Sequence, residues 1–206
     1  MFNPDNAAAF LPKDLLDNVN LGAESQSWNG SIMSSFILTN NIKVGFAAFA
    51  LGVSWGIGTV YILASNAFLL GSLGAFAQQG GHGLLFWSLI LPHGVPELFA
   101  IFMCGAAGLI IGYSLVNPGQ LKRSDAFIKA GRAAVRLILG TIPIFVVAGL
   151  IEGFFTPLPI QPIWKYLFSI FAAIAMITYF WFFIRRGLRK GYFEEKKELK
   201  TLSNFS

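Results

Sequence analysis

Ionisable side chains inside long apolar stretches are the residues of this sequence whose types could support chemistry. His93 and Glu97 each follow a proline in the stretch LPHGVPELFAIFMCGAAGLIIG, and Glu152 lies near the end of a later apolar stretch. An ionisable residue within a membrane span is costly and is by default a candidate functional residue. These three residues predict either a proton- or ligand-binding role or a structural role in bonding helix ends and exposed backbone, and the sequence leaves both open.

No familiar catalytic or metal-binding motif accompanies these residues. The sequence has no phosphate-binding glycine loop followed by Lys-Ser or Lys-Thr, no G-x-S-x-G elbow and no His-Glu-x-x-His helix. His93 and Glu97 are too few to ligate a metal, and no cluster of cysteine and histidine lies near them in the sequence. We therefore predict that the protein is not an enzyme, and we expect no catalytic residue, no metal site and no cofactor.

The composition is that of a membrane protein. The chain is 55% hydrophobic and only 12% charged, with a mean hydropathy of +0.63, whereas about a quarter of the residues of a soluble domain are charged. Between Val44 and Leu121, Glu97 is the only aspartate, glutamate, lysine or arginine. That run exceeds several times the roughly 20 apolar residues that cross a bilayer once. The predicted fold class is all-α, a polytopic transmembrane helical bundle.

About five membrane segments are predicted. Their approximate bounds are 43–65, 67–91, 95–116, 134–155 and 163–184. The second segment is broken or re-entrant, because QQGGHG at 78–83 would interrupt a helix in the hydrocarbon. Pro96 suits the first position of the third helix, which would place Glu97 in its first turn. Glu97 and Glu152 would then both lie near the outer boundary of the membrane and face protein.

The chain divides by polarity into three parts, which are a polar N-terminal segment (1–35), a transmembrane domain (36–185) and a charged C-terminal tail (186–206). Residues 8–25 suit a helix at the membrane surface, and the tail would continue the last helix. Lysines and arginines cluster at 122–136 and at 185–200. Two crossings separate the clusters, so both lie on one side, which the positive-inside rule makes cytoplasmic. The side of the N-terminus depends on whether the second segment crosses.

Small residues recur along the apolar segments, many of them four positions apart. Lipid offers no hydrophobic drive for helices to associate, so membrane helices pack closely through small residues. The expected helix-packing positions are Gly52, Gly56, Cys104, Gly105, Gly108, Gly112, Gly149 and Gly153. We interpret Cys104, the single cysteine, as one of these small packing residues.

Four blocks occur in an order that resembles one known family. They are FILTNNIKVGFAAFALGVSWGIGT (36–59), NAFLLGSLGA (66–75), LPHGVPELFAIFMCGAAGLIIGYSLVNPG (91–119) and AGLIEGFF (148–155). Together they resemble the stage II sporulation protein M family of integral membrane proteins, over about residues 36–185. The resemblance carries over to Asn40, Asn41, Thr59, Pro92, His93, Gly94, Glu97, Gly105, Gly108, Gly112, Asn117, Pro118, Gly119, Glu152 and Gly153.

The resemblance implies a membrane scaffold. Sporulating members of the family act in septal membrane migration, in a complex with two peptidoglycan-degrading proteins. By this resemblance we expect a multi-pass protein of the bacterial inner (cytoplasmic) membrane, and the basic clusters predict that its C-terminus is in the cytoplasm. It would assemble cell-envelope or peptidoglycan-remodelling partners.

Two other functions stay open from the residues themselves. The broken second segment, His82 and the pair Glu97 and Glu152 are consistent with a transporter or channel-like subunit, because discontinuous helices bind solutes in transport proteins. The glycine faces are consistent with a structural subunit of a large homo-oligomer. The expected partners are membrane lipids and other membrane or envelope proteins, and no nucleic acid.

Overall fold

The structure, a computed structural model, describes the backbone of residues 30–203 and the side chains of 39–182 and of Arg185. Its five α-helices are α1 (Gly30–Ala50), α2 (Ile57–Gln79), α3 (Gly83–Val116), α4 (Arg123–Leu150) and α5 (Pro162–Ser203). A 3-10 turn (Leu51–Val53) follows α1, and a π turn (Ile151–Phe155) follows α4. The described residues contain no strand, so the predicted all-α bundle is confirmed.

Four stretches of the described chain are long and apolar enough to cross a membrane. They are Ile57–Gln79, Gly83–Val116, Arg123–Phe155 and Pro162–Phe182. The chain is therefore a multi-pass membrane protein, with α1 as a further helix packed among these four. α5 continues as a helix through most of the predicted tail, to Ser203. The surface helix predicted at 8–25 lies outside the described residues.

The second predicted segment is broken where its glycines indicate. α2 ends at Gln79 and α3 begins at Gly83. Between them Gly81 has a φ of +76°, a left-handed conformation that glycine adopts without the steric penalty of a Cβ atom. The break is therefore a tight turn that joins two complete helices.

The first predicted segment, 43–65, was wrong, because the chain turns back inside it. α1 ends at Ala50, and Trp55 and Gly56 adopt positive φ values of 57° and 83° before α2 begins. The Ser54 hydroxyl donates to the Leu51 carbonyl at 2.6 Å, so part of the polar backbone of the turn is bonded locally. Residues 51–60 are almost all apolar, so hydropathy alone gives no signal of this turn.

The third predicted segment was wrong at its start. Pro92 and Pro96 lie inside α3, which begins at Gly83. Each proline lacks the N–H that would bond the carbonyl four residues earlier, yet membrane bundles tolerate such prolines because neighbouring groups bond the freed backbone. Glu97 consequently lies roughly 21 Å along the axis from the start of α3, at about 1.5 Å per residue. Glu97 therefore lies deep in the helix. The prediction from Pro96, which placed it in the first turn, was wrong.

α3 is the central helix, and α1, α2, α4 and α5 each pack against it. Half of its most apolar stretch is buried (50%), against 6% for α2 and 11% for the apolar part of α5. The buried core joins α3 to α4 and consists of Ala100, Ile101, Cys104, Ala107, Ile111, Ala134, Ile138, Ile144 and Phe145. α2 and α5 therefore direct most of their apolar surface away from the bundle.

Backbone meets backbone where the end of α1 and the following turn cross α3. A Cβ atom added to Gly108 would lie 2.5 Å from the Ala48 carbonyl oxygen and 2.6 Å from Thr59 Oγ1. A Cβ added to Gly52 would overlap the Gly108 carbonyl, and one on Gly112 would overlap the Gly56 nitrogen. Only glycine permits this crossing, as is typical of closely packed membrane helices.

Replacing Gly108 with alanine should therefore destabilise the bundle. The methyl group would meet the α1 backbone and the Thr59 hydroxyl, and overpacking of this kind typically lowers the free energy of unfolding by about 1–3 kcal/mol. Thermal unfolding of the detergent-solubilised protein measures the effect. The matched control is Gly140→Ala, because a Cβ at Gly140 meets no atom within 4 Å. Equal melting temperatures for the two variants would contradict the crossing.

Candidate functional site

Six polar side chains from different parts of the bundle interact in two neighbouring sets among the apolar helices. In one set Thr156 is bonded to His93 and Lys165, and in the other Glu97 interacts with Asn41 and Glu152. This polar cluster consists of Asn41 on α1, His93 and Glu97 on α3, Glu152 and Thr156 in and after the π turn, and Lys165 on α5. His93, Glu97, Glu152 and Lys165 are all buried, with 5%, 3%, 2% and 5% of their surface exposed. Burial of so many ionisable groups in one place is unusual, because each charged form is costly inside an apolar bundle.

Thr156 connects α3 to α5 through both its side chain and its backbone. His93 Nδ1 and Thr156 Oγ1 share a hydrogen bond of 3.2 Å. Lys165 Nζ donates to the Thr156 carbonyl oxygen at 2.7 Å. The connection after the π turn is therefore bonded to the two helices on either side of it.

Glu97 connects α3 to α1 and lies near a second acid. Asn41 hydrogen-bonds the Glu97 side chain, and Glu152 is close enough for its charge to act on Glu97. Glu97 Oε1 has no hydrogen-bond partner among the described residues, although the side chain is buried. A buried carboxylate oxygen without a partner loses its hydration and gains nothing in return.

Both helices that supply the acids depart from regular α-helical geometry near the polar cluster. On α3, Pro92 and Pro96 remove two backbone donors beside His93 and Glu97. On the other side, the π turn is closed by a hydrogen bond from the Thr156 N–H to the Ile151 carbonyl at 2.9 Å, and Pro157 prevents the helix from continuing. Single π turns inside α-helices occur frequently at functional sites.

No three histidine, cysteine, aspartate or glutamate side chains of the described ranges lie close enough to hold a metal ion together. The donors of the polar cluster are mostly oxygens. What the geometry does provide is polar groups that depend on one another for hydrogen bonds.

The structure brings together four of the seven functional candidates named from the sequence, which are Asn41, His93, Glu97 and Glu152. Asn40 is exposed beside Asn41. Thr59 is buried elsewhere, at the glycine crossing, where its hydroxyl donates to the Ala48 carbonyl at 2.6 Å. His82 is exposed in the turn before α3 and lies roughly 16 Å along the helix axis from His93, at about 1.5 Å per residue.

Four of the eight predicted packing residues lie on α3, and two more lie in the turn that crosses it. Gly52, Gly56, Gly108 and Gly112 form the glycine crossing, and a Cβ on Gly105 would lie 2.7 Å from Leu63 Cδ1 of α2. Cys104 is buried with its Sγ 3.7 Å from Thr141 Oγ1 of α4. Gly149 is half-buried, whereas a Cβ on Gly153 would meet no atom within 4 Å, so Gly153 makes no close helix contact within the chain.

Lys165 and Thr156 belong to the polar cluster but were missed from the sequence. Lys165 is the only charged residue between Gly153 and Ile184, the same signal that drew attention to Glu97. Near the start of a span, however, a lysine is normally expected to extend its ammonium group to the membrane surface. Thr156 gave no signal, because its partners come from helices far away in the sequence.

Comparison with known proteins identifies a family. A family model described as stage II sporulation protein M matches residues 5–157. The match extends further toward the N-terminus than the resemblance over 36–185, and it includes every member of the polar cluster except Lys165.

Two relatives, both described as uncharacterized proteins, come from the archaeon Methanocaldococcus jannaschii. One is 33% identical over 126 residues, which cover 59% of this chain and 69% of the relative. The other is 26% identical over 126 residues, which cover 58% of this chain and 54% of the relative. No solved structure matches the chain.

The hydrogen bond between His93 and Thr156 should be measurable as a coupling energy. Thr156→Val keeps the shape of the side chain and the carbonyl that Lys165 binds, and loss of the hydroxyl should lower the free energy of unfolding by about 0.5–1.5 kcal/mol. In a His93→Leu background, where this hydrogen bond is already absent, Thr156→Val should lower the free energy of unfolding by a different amount. The difference between the two effects is the coupling energy, which should be about 0.5 kcal/mol or more. Denaturant unfolding of the four proteins gives this cycle.

Thr178→Val is the matched control for that cycle. Thr178 is exposed, and its hydroxyl bonds only the Ile174 carbonyl of its own helix, at 2.8 Å. Loss of the Thr178 hydroxyl should leave the free energy of unfolding nearly unchanged, and its effect should add to that of His93→Leu. Additive effects of Thr156→Val and His93→Leu would show that the two side chains do not interact.

Proposed function

This chain belongs to the stage II sporulation protein M family, and on that premise we propose that it is a membrane scaffold which assembles proteins of the cell envelope, including those that remodel peptidoglycan. The two relatives are archaeal. For that reason the proposed partners are defined by their place in the cell envelope, and the proposed location is the cytoplasmic membrane.

The observation that best supports a scaffold is the outward-facing surface of α2 and α5. Only 6% and 11% of their apolar stretches are buried within the chain. Large aromatic side chains stand on this surface of α5, with Trp164 60% exposed and Phe171 68% exposed. Aromatic residues are enriched at protein interfaces, so this surface is where we expect partner proteins to pack.

We also propose that the C-terminus is cytoplasmic. The connection between α3 and α4 and the first residues of α4 carry exposed basic side chains, among them Lys122 and Arg123, and α5 carries exposed Arg185 toward its distal part. The Arg185 guanidinium lies 3.9 Å from the centre of the Trp181 ring, a pair suited to the membrane interface. The positive-inside rule supports placing this end in the cytoplasm.

Cysteine labelling tests the orientation. Cys104 is the only cysteine and is buried, so Gln120→Cys and Gln161→Cys can be made singly in a Cys104→Ser background. Both glutamines are exposed, at opposite ends of α4. A membrane-impermeant maleimide added outside intact cells should label Gln161→Cys and leave Gln120→Cys unlabelled until the membrane is opened. The reverse pattern would contradict the proposed orientation.

Purification of the tagged protein from its native membranes in gentle detergent tests the scaffold. Envelope proteins should copurify, and mass spectrometry should find them reduced severalfold with Glu97→Ala, because that change removes the contact between α1 and α3 in the polar cluster. Asp125→Ala is the control, because Asp125 lies outside the polar cluster, in the first turn of α4. A wild-type protein recovered without any partner would contradict the scaffold and favour transport.

A further inference from the structure

We propose that the polar cluster is a binding site for one monovalent cation, a proton or Na⁺, held at the Glu97 carboxylate. The scaffold function does not require this ligand. The inference goes beyond that function and can hold or fail independently of it.

The first argument is the environment of Glu97 Oε1. The side chain is 3% exposed, and this oxygen has no hydrogen-bond partner in the part of the chain that the structure describes. The other polar contact of the carboxyl group is with Asn41, a neutral amide. A bare carboxylate oxygen at this depth in an apolar bundle is strongly unfavourable, and a bound cation or proton removes the penalty.

The second argument is the charge of the buried groups on Glu97's own helix and on the neighbouring elements. α1 contributes the neutral Asn41, while its Lys43 is exposed. The π turn contributes Glu152, α5 contributes Lys165, and α3 itself contributes His93 one turn before Glu97. With His93 neutral, the buried charges of the polar cluster are two carboxylates and one ammonium group. One negative charge is left over, which matches one monovalent cation and not a divalent ion.

The third argument is the chemistry of the available donors. Besides the carboxylate, Pro96 leaves the carbonyl group of Pro92, little more than one turn before Glu97, without its helical donor. Oxygen donors of this kind suit hard cations, whereas nitrogen and sulfur ligands suit transition metals. Backbone carbonyls from interrupted helices coordinate Na⁺ within other membrane proteins.

Thermal unfolding of the purified full-length protein in detergent provides the test. A ligand that binds only the folded state raises Tm, and each tenfold increase in cation concentration above its Kd should raise Tm by roughly 3–5 °C for a chain of this size. Na⁺ is varied against choline at constant ionic strength and fixed pH. Proton concentration is varied in choline alone. A response to Na⁺ identifies sodium as the ligand, and a response to pH alone identifies the proton.

Glu97→Gln is the decisive variant, because glutamine keeps the shape and the contact with Asn41 but carries no charge. If Na⁺ is the ligand, Glu97→Gln should abolish the rise of Tm with Na⁺ concentration. If the proton is the ligand, the variant should bind one proton fewer on folding, so its Tm should depend less on pH. The control Asp125→Asn should keep the wild-type dependence in both cases. A wild-type Tm that depends on neither cation would overturn the site. A dependence of Tm on Na⁺ or pH that Glu97→Gln retains in full would also overturn the site.

Lys165→Met gives an independent test of the charge count, which also applies if Glu97→Gln fails to fold. Without the ammonium group, two carboxylates would need two cations, so the slope of Tm against the logarithm of cation concentration should approximately double. An unchanged slope would show that Lys165 does not balance the second carboxylate, and it would overturn the proposed stoichiometry.

Discussion

The backbone contact between α3 and the turn after α1 is the constraint on which the rest of the structure depends. At Gly108 and Gly112 there is no room even for a methyl group, so α1 and the start of α2 are held against the centre of the bundle. Because α1 and α3 run in the same direction through this crossing, with Gly45 beside Cys104 and Gly52 beside Gly108, the crossing also sets which residues meet further along. Asn41 reaches Glu97 for that reason.

The polar cluster supplies the second set of restraints on the bundle. Helices in lipid gain little from apolar contact, so close packing and buried polar bonds decide how they associate. The glycine crossing holds α1 and α2 to α3. Thr156 and its two partners hold the end of α4 and the start of α5 to the same helix. Proline and π-turn irregularities on either side of the cluster are tolerated because these contacts surround them.

Lys165 links the two proposals. It belongs to α5, whose exposed surface is the proposed meeting point for partner helices, and its ammonium group is also the balancing charge in the proposed cation site. Under the two proposals together, the helix that presents the partner surface also supplies a charge to the cation site, and Lys165 is held there by the Thr156 carbonyl.

The sequence by itself determined the membrane class, the helical fold, the break at the glycines before α3 and the unusual position of Glu97. These follow from properties that are local in the chain, because long apolar runs need helices in lipid and an isolated buried acid is costly. His93, Glu97 and Glu152 were identifiable for the same reason, whereas Asn41 was identified only through the family resemblance. Lys165 is also an isolated charge in an apolar run. It was missed because a lysine near the start of a span normally extends its ammonium group to the membrane surface.

Only the tertiary structure decided where α1 ends, that α3 continues through Pro92 and Pro96, and that Thr156 and Lys165 join the polar cluster. The turn after α1 lies in an apolar stretch and exists because that backbone packs on Gly108 and Gly112. The prolines looked like a helix start, because the groups that surround them come from distant parts of the chain. Local pattern cannot report a contact that forms only when distant segments meet.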